Sequence, residues 1–119
     1  MLVVDDEPLM VDFSCAAVRE LGYSVLSATD GREAPIICAL QAPHVDAVLL
    51  DMVMPGPGWE TTLRAIRAVT SPPTVIMTSG FNRERDARRG LEMGAAAFIG
   101  KPYTIEQLGR VLKDSLAQR

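Results

Sequence analysis

The sequence holds little from which a covalent or thiolate-metal scaffold could be built. Its two cysteines, Cys15 and Cys38, lack metal-ligand spacing, and both fall in segments patterned as helices. A chain of 119 residues can form a core without a disulfide, so both read as small packing residues kept reduced. The one histidine, His44, sits beside Pro43 in an expected loop. It makes neither a credible phosphodonor nor a metal site, and solvation is its expected state. Basic residues are not in excess: 12 Lys and Arg stand against 15 Asp and Glu, for a net charge of -3 and a pI near 5.1. With no broad basic field to neutralise phosphates, direct nucleic-acid binding is not expected, and a protein partner or a small anion is. Apolar runs reach only strand length, and Asp5 and Asp6 follow the first of them at once. Neither a signal peptide nor a membrane span is therefore expected, and the cytoplasm is the expected compartment. Repeats, low-complexity tracts and linkers are also lacking.

What is present is patterned apolar sequence, 48% of the chain, enough for one core and one domain over residues 1–119. Three apolar runs end at a polar residue: Leu2 to Val4 before Asp5, Ala47 to Leu50 before Asp51, and Thr74 to Thr78 before Ser79. Such runs suit strands covered on both faces. Two weaker runs, Ser24 to Ala28 and Ala96 to Ile99, bring the number of candidate strands to five.

Helical patterns lie between them. The first begins at Pro8, turns Met10, Phe13, Ala17 and Leu21 to one face, and stops at Gly22. The second opens at Asp30 with Glu33 in the capping-box position, although Pro35 then sits deep for a first turn. The third runs from about Trp59 to Val69, with Leu63, Ile66 and Val69 or its neighbours inward, and ends before Pro72 and Pro73. The fourth, about Arg83 to Met93, is dominated by charge and is the expected mobile element. In the fifth, Thr104 caps, Gln107 completes a capping box, and Ile105, Leu108, Val111, Leu112 and Leu116 line one side. Five alternations of strand and helix predict an α/β fold, a parallel sheet with helices on both faces.

In such open sheets the site lies beyond the carboxyl ends of the strands. That rule selects Asp5, Asp6, Asp51, Ser79 and Lys101. Three converging carboxylates repel one another unless a cation or protons intervene, and a hard divalent ion resolves the conflict. Mg²⁺ suits oxygen donors and shares its sites with phosphate. The expected direct ligands are Asp6 and Asp51, with Asp5 acting through water and a backbone carbonyl at Val53 contributing. One carboxylate can then attack phosphorus, and the central Asp51 is the choice. Transfer also needs a cation and a hydroxyl to neutralise the phosphoryl oxygens, which Lys101 and Ser79 supply. Any one of these acids alone reads as a strand-end carboxylate; their convergence carries the functional reading.

Val3 to Glu7 (VVDDE), Leu49 to Pro55 (LLDMVMP), Thr78 to Gly80 (TSG), and Lys101 with Pro102 resemble the receiver domain of two-component response regulators. The likeness covers essentially the whole chain. It implies a five-stranded sheet in order 2-1-3-4-5, doubly wound like flavodoxin, with five helices. It implies phosphorylation of Asp51 from the phosphohistidine of a sensor histidine kinase or histidine phosphotransfer protein, or by small phosphodonors. Asp5 and Asp6 hold Mg²⁺ in that reading, and Lys101 contacts the phosphate. Ser79, at the family's separation from Lys101, is the switch hydroxyl, while Thr78 points to the opposite face. Phe98 matches the aromatic that swings inward when the hydroxyl moves, set against an ordinary core phenylalanine. Pro102 resembles the family's cis-proline. A downstream protein partner is implied, and the family also forms phosphorylation-dependent homodimers through its fourth helix, last strand and fifth helix.

Some positions depart from the family. The segment Gly56, Pro57, Gly58 is one residue shorter than the usual loop, and the chain starts almost directly at its first strand. Val53 and Phe81 occupy the two positions that influence the attacking water, and apolar groups there predict slow self-dephosphorylation. Arg83, Arg85, Arg88 and Arg89, interleaved with Glu84 and Asp86, read as a solvated helix face before a docking face. Trp59 reads equally as contact surface or loop packing. Three alternatives frame the reading. A module cut from a larger kinase competes with a free single-domain regulator, with no DNA-binding segment expected. An aspartyl-phosphate phosphatase would carry a second acid where Val53 stands, and a degenerate receiver would lack site residues.

Overall fold

The computed structural model describes residues 1–41, 45–54, 58–80 and 84–117. Five strands alternate with five helices in chain order. They are β1 (Leu2–Val4), α1 (Pro8–Glu20), β2 (Leu26–Ala28), α2 (Glu33–Gln41), β3 (Ala47–Asp51), α3 (Trp59–Arg67), β4 (Thr74–Ser79), α4 (Glu84–Glu92), β5 (Ala97–Gly100) and α5 (Ile105–Ala117). All strand pairs are parallel, in the order β2-β1-β3-β4-β5. This is the doubly wound, flavodoxin-like architecture expected.

Side chains alternate across a strand, so each central strand feeds two cores. Val4, Leu50 and Met77 join α2 and α3 through Ala34, Cys38, Leu63 and Ile66. Val3, Leu49 and Ile76 meet α1 and α5 through Cys15, Val18, Leu108 and Leu112. The predicted inner line of α5 is realised, with Ile105, Val111 and Leu116 packing around the buried Leu108 and Leu112. Cys15 and Cys38 are free and buried, as expected.

Four readings change. The buried face of α1 is Ser14, Cys15, Ala17 and Val18, whereas Phe13 is 41% exposed. The helix rotates so that its smallest residues approach the sheet, leaving the phenyl ring at the rim. Second, α2 starts at Glu33 rather than at an Asp30 cap. The Asp30 carboxylate accepts from the Arg32 backbone N–H at 2.7 Å and from its guanidinium at 2.8 Å, so Arg32 replaces Glu33 as its partner. Pro35 then falls in the first turn, where no intrahelical N–H is needed. Third, β2 begins at Leu26, two residues late, because only residues 26–28 find partners on β1. Fourth, α3 stops at Arg67, although Val69 still packs on the first core.

The fifth helix is capped as read: the Gln107 N–H donates to Thr104 Oγ1 at 3.1 Å, and the Thr104 N–H donates to Gln107 Oε1 at 2.9 Å. Helix α4 buries only Gly90 among its described residues, where a Cβ would overlap the thioether end of Met77. Its arginines lie on an exposed face, with Arg89 donating to Glu60 of α3 at 3.0 Å. Gly22 and Gly94 adopt φ of +97° and +106°, the left-handed turns that end α1 and α4. His44, Pro55, Gly56, Pro57, Phe81 and Arg83 lie outside the described residues.

Candidate functional site

The parallel strands all end at one edge. Asp5 follows β1, Asp51 and Ser79 are the last residues of β3 and β4, and Lys101 follows β5. Asp5, Asp6 and Asp51 each bring a carboxylate oxygen within 4.8 Å of the others. Asp5 and Asp51 are buried, and Asp6 is half-buried at the rim. The Lys101 ammonium lies between two of them, donating to Asp5 Oδ2 at 2.8 Å and standing 3.5 Å from Asp51 Oδ1. Upstream, the Lys101 N–H donates to the Ser79 carbonyl at 2.9 Å, continuing the β4–β5 ladder to the site.

The loops after β1 and β3 supply backbone donors. Asp5 Oδ1 accepts from the Glu7 N–H at 3.0 Å, and Asp51 Oδ1 accepts from the Val53 N–H at 3.3 Å. Burial is the largest influence on Asp51 and the Asp5 charge the next, and together they push its carboxyl up to about 6 against the pull of Lys101. The same two acids hold the Lys101 ammonium above its usual value in spite of burial. Among the described residues one ammonium faces three carboxylates, an excess of negative charge at the cluster.

The donor set fits a hard divalent cation. All the side-chain atoms offered are carboxylate oxygens, they sit close enough for one ion, and the raised Asp51 carboxyl reports the repulsion that an ion would relieve. Asp5, Asp6 and Asp51 would hold it, and the Val53 backbone is adjacent to them.

The other expected residues fall as follows. Ser79 is buried at the end of β4, beside the site. Thr78 pairs with Asp51 and Ile99 in the register, and by strand alternation its side chain lies opposite to that of Ser79. Its buried Oγ1 has no hydrogen-bond partner among the described residues. Phe98 pairs with Met77 in the register and is half-buried against the first core. The Lys101–Pro102 bond is cis. Trp59 packs on the first core and comes near Gly90, which makes it the support of α3 against α4. Sequence reasoning missed a second layer beside the site: Tyr103, buried two residues after Lys101, bonds to Ser14 of α1 at 2.6 Å. The signal was Ser14, a polar residue directly before the small apolar run Cys15 to Val18 of α1.

The family model described as response regulator receiver domain matches residues 1–113. The transcriptional regulatory protein TcrA of Mycobacterium tuberculosis is 36% identical over 110 residues, 91% of this chain and 42% of that protein. The sensory transduction protein RegX3 of Mycobacterium bovis is 33% identical over 108 residues, covering 91% and 46%. This chain thus spans less than half the length of these relatives. Because one is named a transcriptional regulator, the expectation of no nucleic-acid contact finds no support here. Among solved structures, a response regulator receiver domain protein from Clostridium thermocellum superimposes with a TM-score of 0.91 at 26% identity, over 98% of this chain and 93% of that one. Among the described residues no helix is long and apolar enough to cross a membrane.

Proposed function

This chain belongs to the response regulator receiver domain family of two-component signalling, and from that membership we propose that it accepts a phosphoryl group on Asp51 and relays it as a change of surface. It is a signalling domain rather than a metabolic enzyme. The observation that carries the reading is the close cluster of Asp5, Asp6 and Asp51 with Lys101 inserted between two of the acids.

In the transfer step an Asp51 carboxylate oxygen attacks the phosphorus of a phosphohistidine on a sensor kinase or histidine phosphotransfer protein. A P–O bond forms, the P–N bond breaks, and the departing imidazole keeps the electron pair and takes a proton from solvent. Mg²⁺, when bound by Asp5, Asp6, Asp51 and the Val53 carbonyl, supplies the positive charge that lets Asp51 attack as an anion. Lys101 is positioned to balance charge on the transferred group, and Ser79 offers its hydroxyl from the adjacent strand end. Asp5 orients the Lys101 ammonium through its 2.8 Å bond.

Movement of the Ser79 hydroxyl toward the phosphoryl group, followed by inward movement of Phe98, is the proposed signal. The half-buried ring on β5 supports it, and α4, which buries only Gly90 among its described residues, has little burial to resist a shift. Output then goes to a downstream protein partner or to a second copy of the chain. Residues 1–119 act as one receiver domain in the cytoplasm, and self-dephosphorylation is slow because Val53 offers no polar group to the attacking water.

The test is intact mass after incubation with acetyl phosphate, with and without Mg²⁺, on the parent and on Asp51→Ala. One Mg²⁺-dependent phosphoryl adduct, absent from the variant, is expected. A folded, metal-binding parent that takes no adduct would leave a degenerate interaction module.

A further inference from the structure

We propose that Ser14 and Tyr103 form a positioning latch that ties the Lys101 loop to α1 and so holds the Lys101 ammonium over Asp5 and Asp51. The loop from Lys101 to Thr104 has an anchor at each end. Its start is fixed by the Lys101 N–H on the Ser79 carbonyl, and its end by the Thr104–Gln107 capping box. Between them Pro102 is exposed, and Tyr103 is the residue that points inward. The depth and angle of the Tyr103 ring therefore set where the middle of this short loop lies, and with it the base of the Lys101 side chain.

Tyr103 is buried in the second core, and two directional contacts to α1 orient its ring. Its hydroxyl meets Ser14 Oγ at 2.6 Å in a buried hydrogen bond. Its ring and that of Phe13 pack edge-to-face, with centroids 5.8 Å apart and planes at 66°. The ring is not wedged on every side, because a cleft of about 310 Å³ lined by Met10, Phe13, Pro102 and Tyr103 lies next to it. Apolar packing alone would leave the ring room to slide into that space. A hydrogen bond has direction and a buried hydroxyl without a partner is costly, so the Ser14 contact selects one ring position. Burial raises the Tyr103 phenol above its usual value, which keeps it protonated as a partner for Ser14.

The latch predicts a dissociation of stability from rate. Removing one hydroxyl, in Tyr103→Phe or Ser14→Ala, strands the other in the core, whereas removing both leaves no unpaired group. The singles should lose stability and the Ser14→Ala, Tyr103→Phe double variant should regain it. If the pair is a positioning device, the rate does not follow: phosphorylation by acetyl phosphate at saturating Mg²⁺ should be slower by about threefold or more in all three variants. Mg²⁺ affinity should stay at the parent value, because no ligand has been touched.

The rate measurement rests on Asp51 as acceptor, so a second readout stands apart from it. The ¹⁵N signal of the Lys101 ammonium in the unphosphorylated protein should be distinct and slowly exchanging in the parent, and averaged in the double variant. A double variant with the parent's rate, or with the parent's ammonium signal, overturns the latch. A parent that takes no phosphoryl group overturns the acceptor reading instead, and the ammonium signal then decides the latch by itself.

Discussion

Asp51 is held in the fold at a cost, and removing its charge should stabilise the metal-free protein. Burial and the neighbouring Asp5 raise its carboxyl from 3.8 to about 6. A carboxyl raised in the native state binds its proton more tightly there than in the unfolded chain. Its effect on stability is therefore nil below about pH 4, grows unfavourable as pH rises towards 6, and is flat above. The full gap corresponds to about 3 kcal/mol, and water at the open rim of the site lowers this to about 1–2 kcal/mol. Asp51→Asn keeps an acceptor for the Val53 N–H, and Lys101 keeps its 2.8 Å bond to Asp5, so little else is lost. In a chelator near about pH 7.5 the variant should unfold roughly 3–10 °C above the parent. The gain should vanish near about pH 4. Excess Mg²⁺ should raise the midpoint of the parent and move the variant far less, because the ion relieves the same repulsion. Thermal unfolding at the two pH values, with chelator and with Mg²⁺, reads all of this. An Asn variant less stable than the parent in chelator at the higher pH, or equally stabilised at both, would refute the electrostatic reasoning.

Three further outcomes are expected. Thr104→Ala removes the acceptor of the Gln107 N–H and should cost about 1 kcal/mol in urea unfolding, with Gln107→Ala losing part of the same energy rather than adding to it. The Cys38 thiol, 1% exposed and pushed up to about 11 by burial, should react with a thiol reagent only at the rate of unfolding; prompt labelling in the folded protein would contradict its placement in the core. Phosphorylated protein freed of donor should keep its adduct for many minutes to hours, read by intact mass, and Val53→Glu should shorten that time by offering the attacking water a polar partner; decay of the parent within seconds would sink the reading.

The sequence determined a good deal by itself. Uninterrupted apolar runs marked β1, β3 and β4 because a strand covered on both faces needs no polar alternation, and each run ended at the residue that the sheet edge then exposed to the site. The Thr104–Gln107 cap was legible because its hydrogen bonds join residues three apart in sequence. Local interactions of this kind are written in local sequence.

Elsewhere tertiary packing decided. Phe13 had the spacing of a core residue, yet α1 turned its smaller residues to the sheet to bring the backbone close, and the ring went to the rim. Asp30 had the sequence of a capping box, but its carboxylate takes the Arg32 N–H and guanidinium, and the helix starts at Glu33. Lys101 and Asp5 are 96 positions apart, and Ser14 and Tyr103 are 89 apart. Their bonds depend on which strands become neighbours, and the burial that raises Asp51 exists only once that sheet is closed on both faces. Sequence named the acids and the lysine; the order of the strands brought them within reach and stripped the water that would otherwise have kept their charges apart.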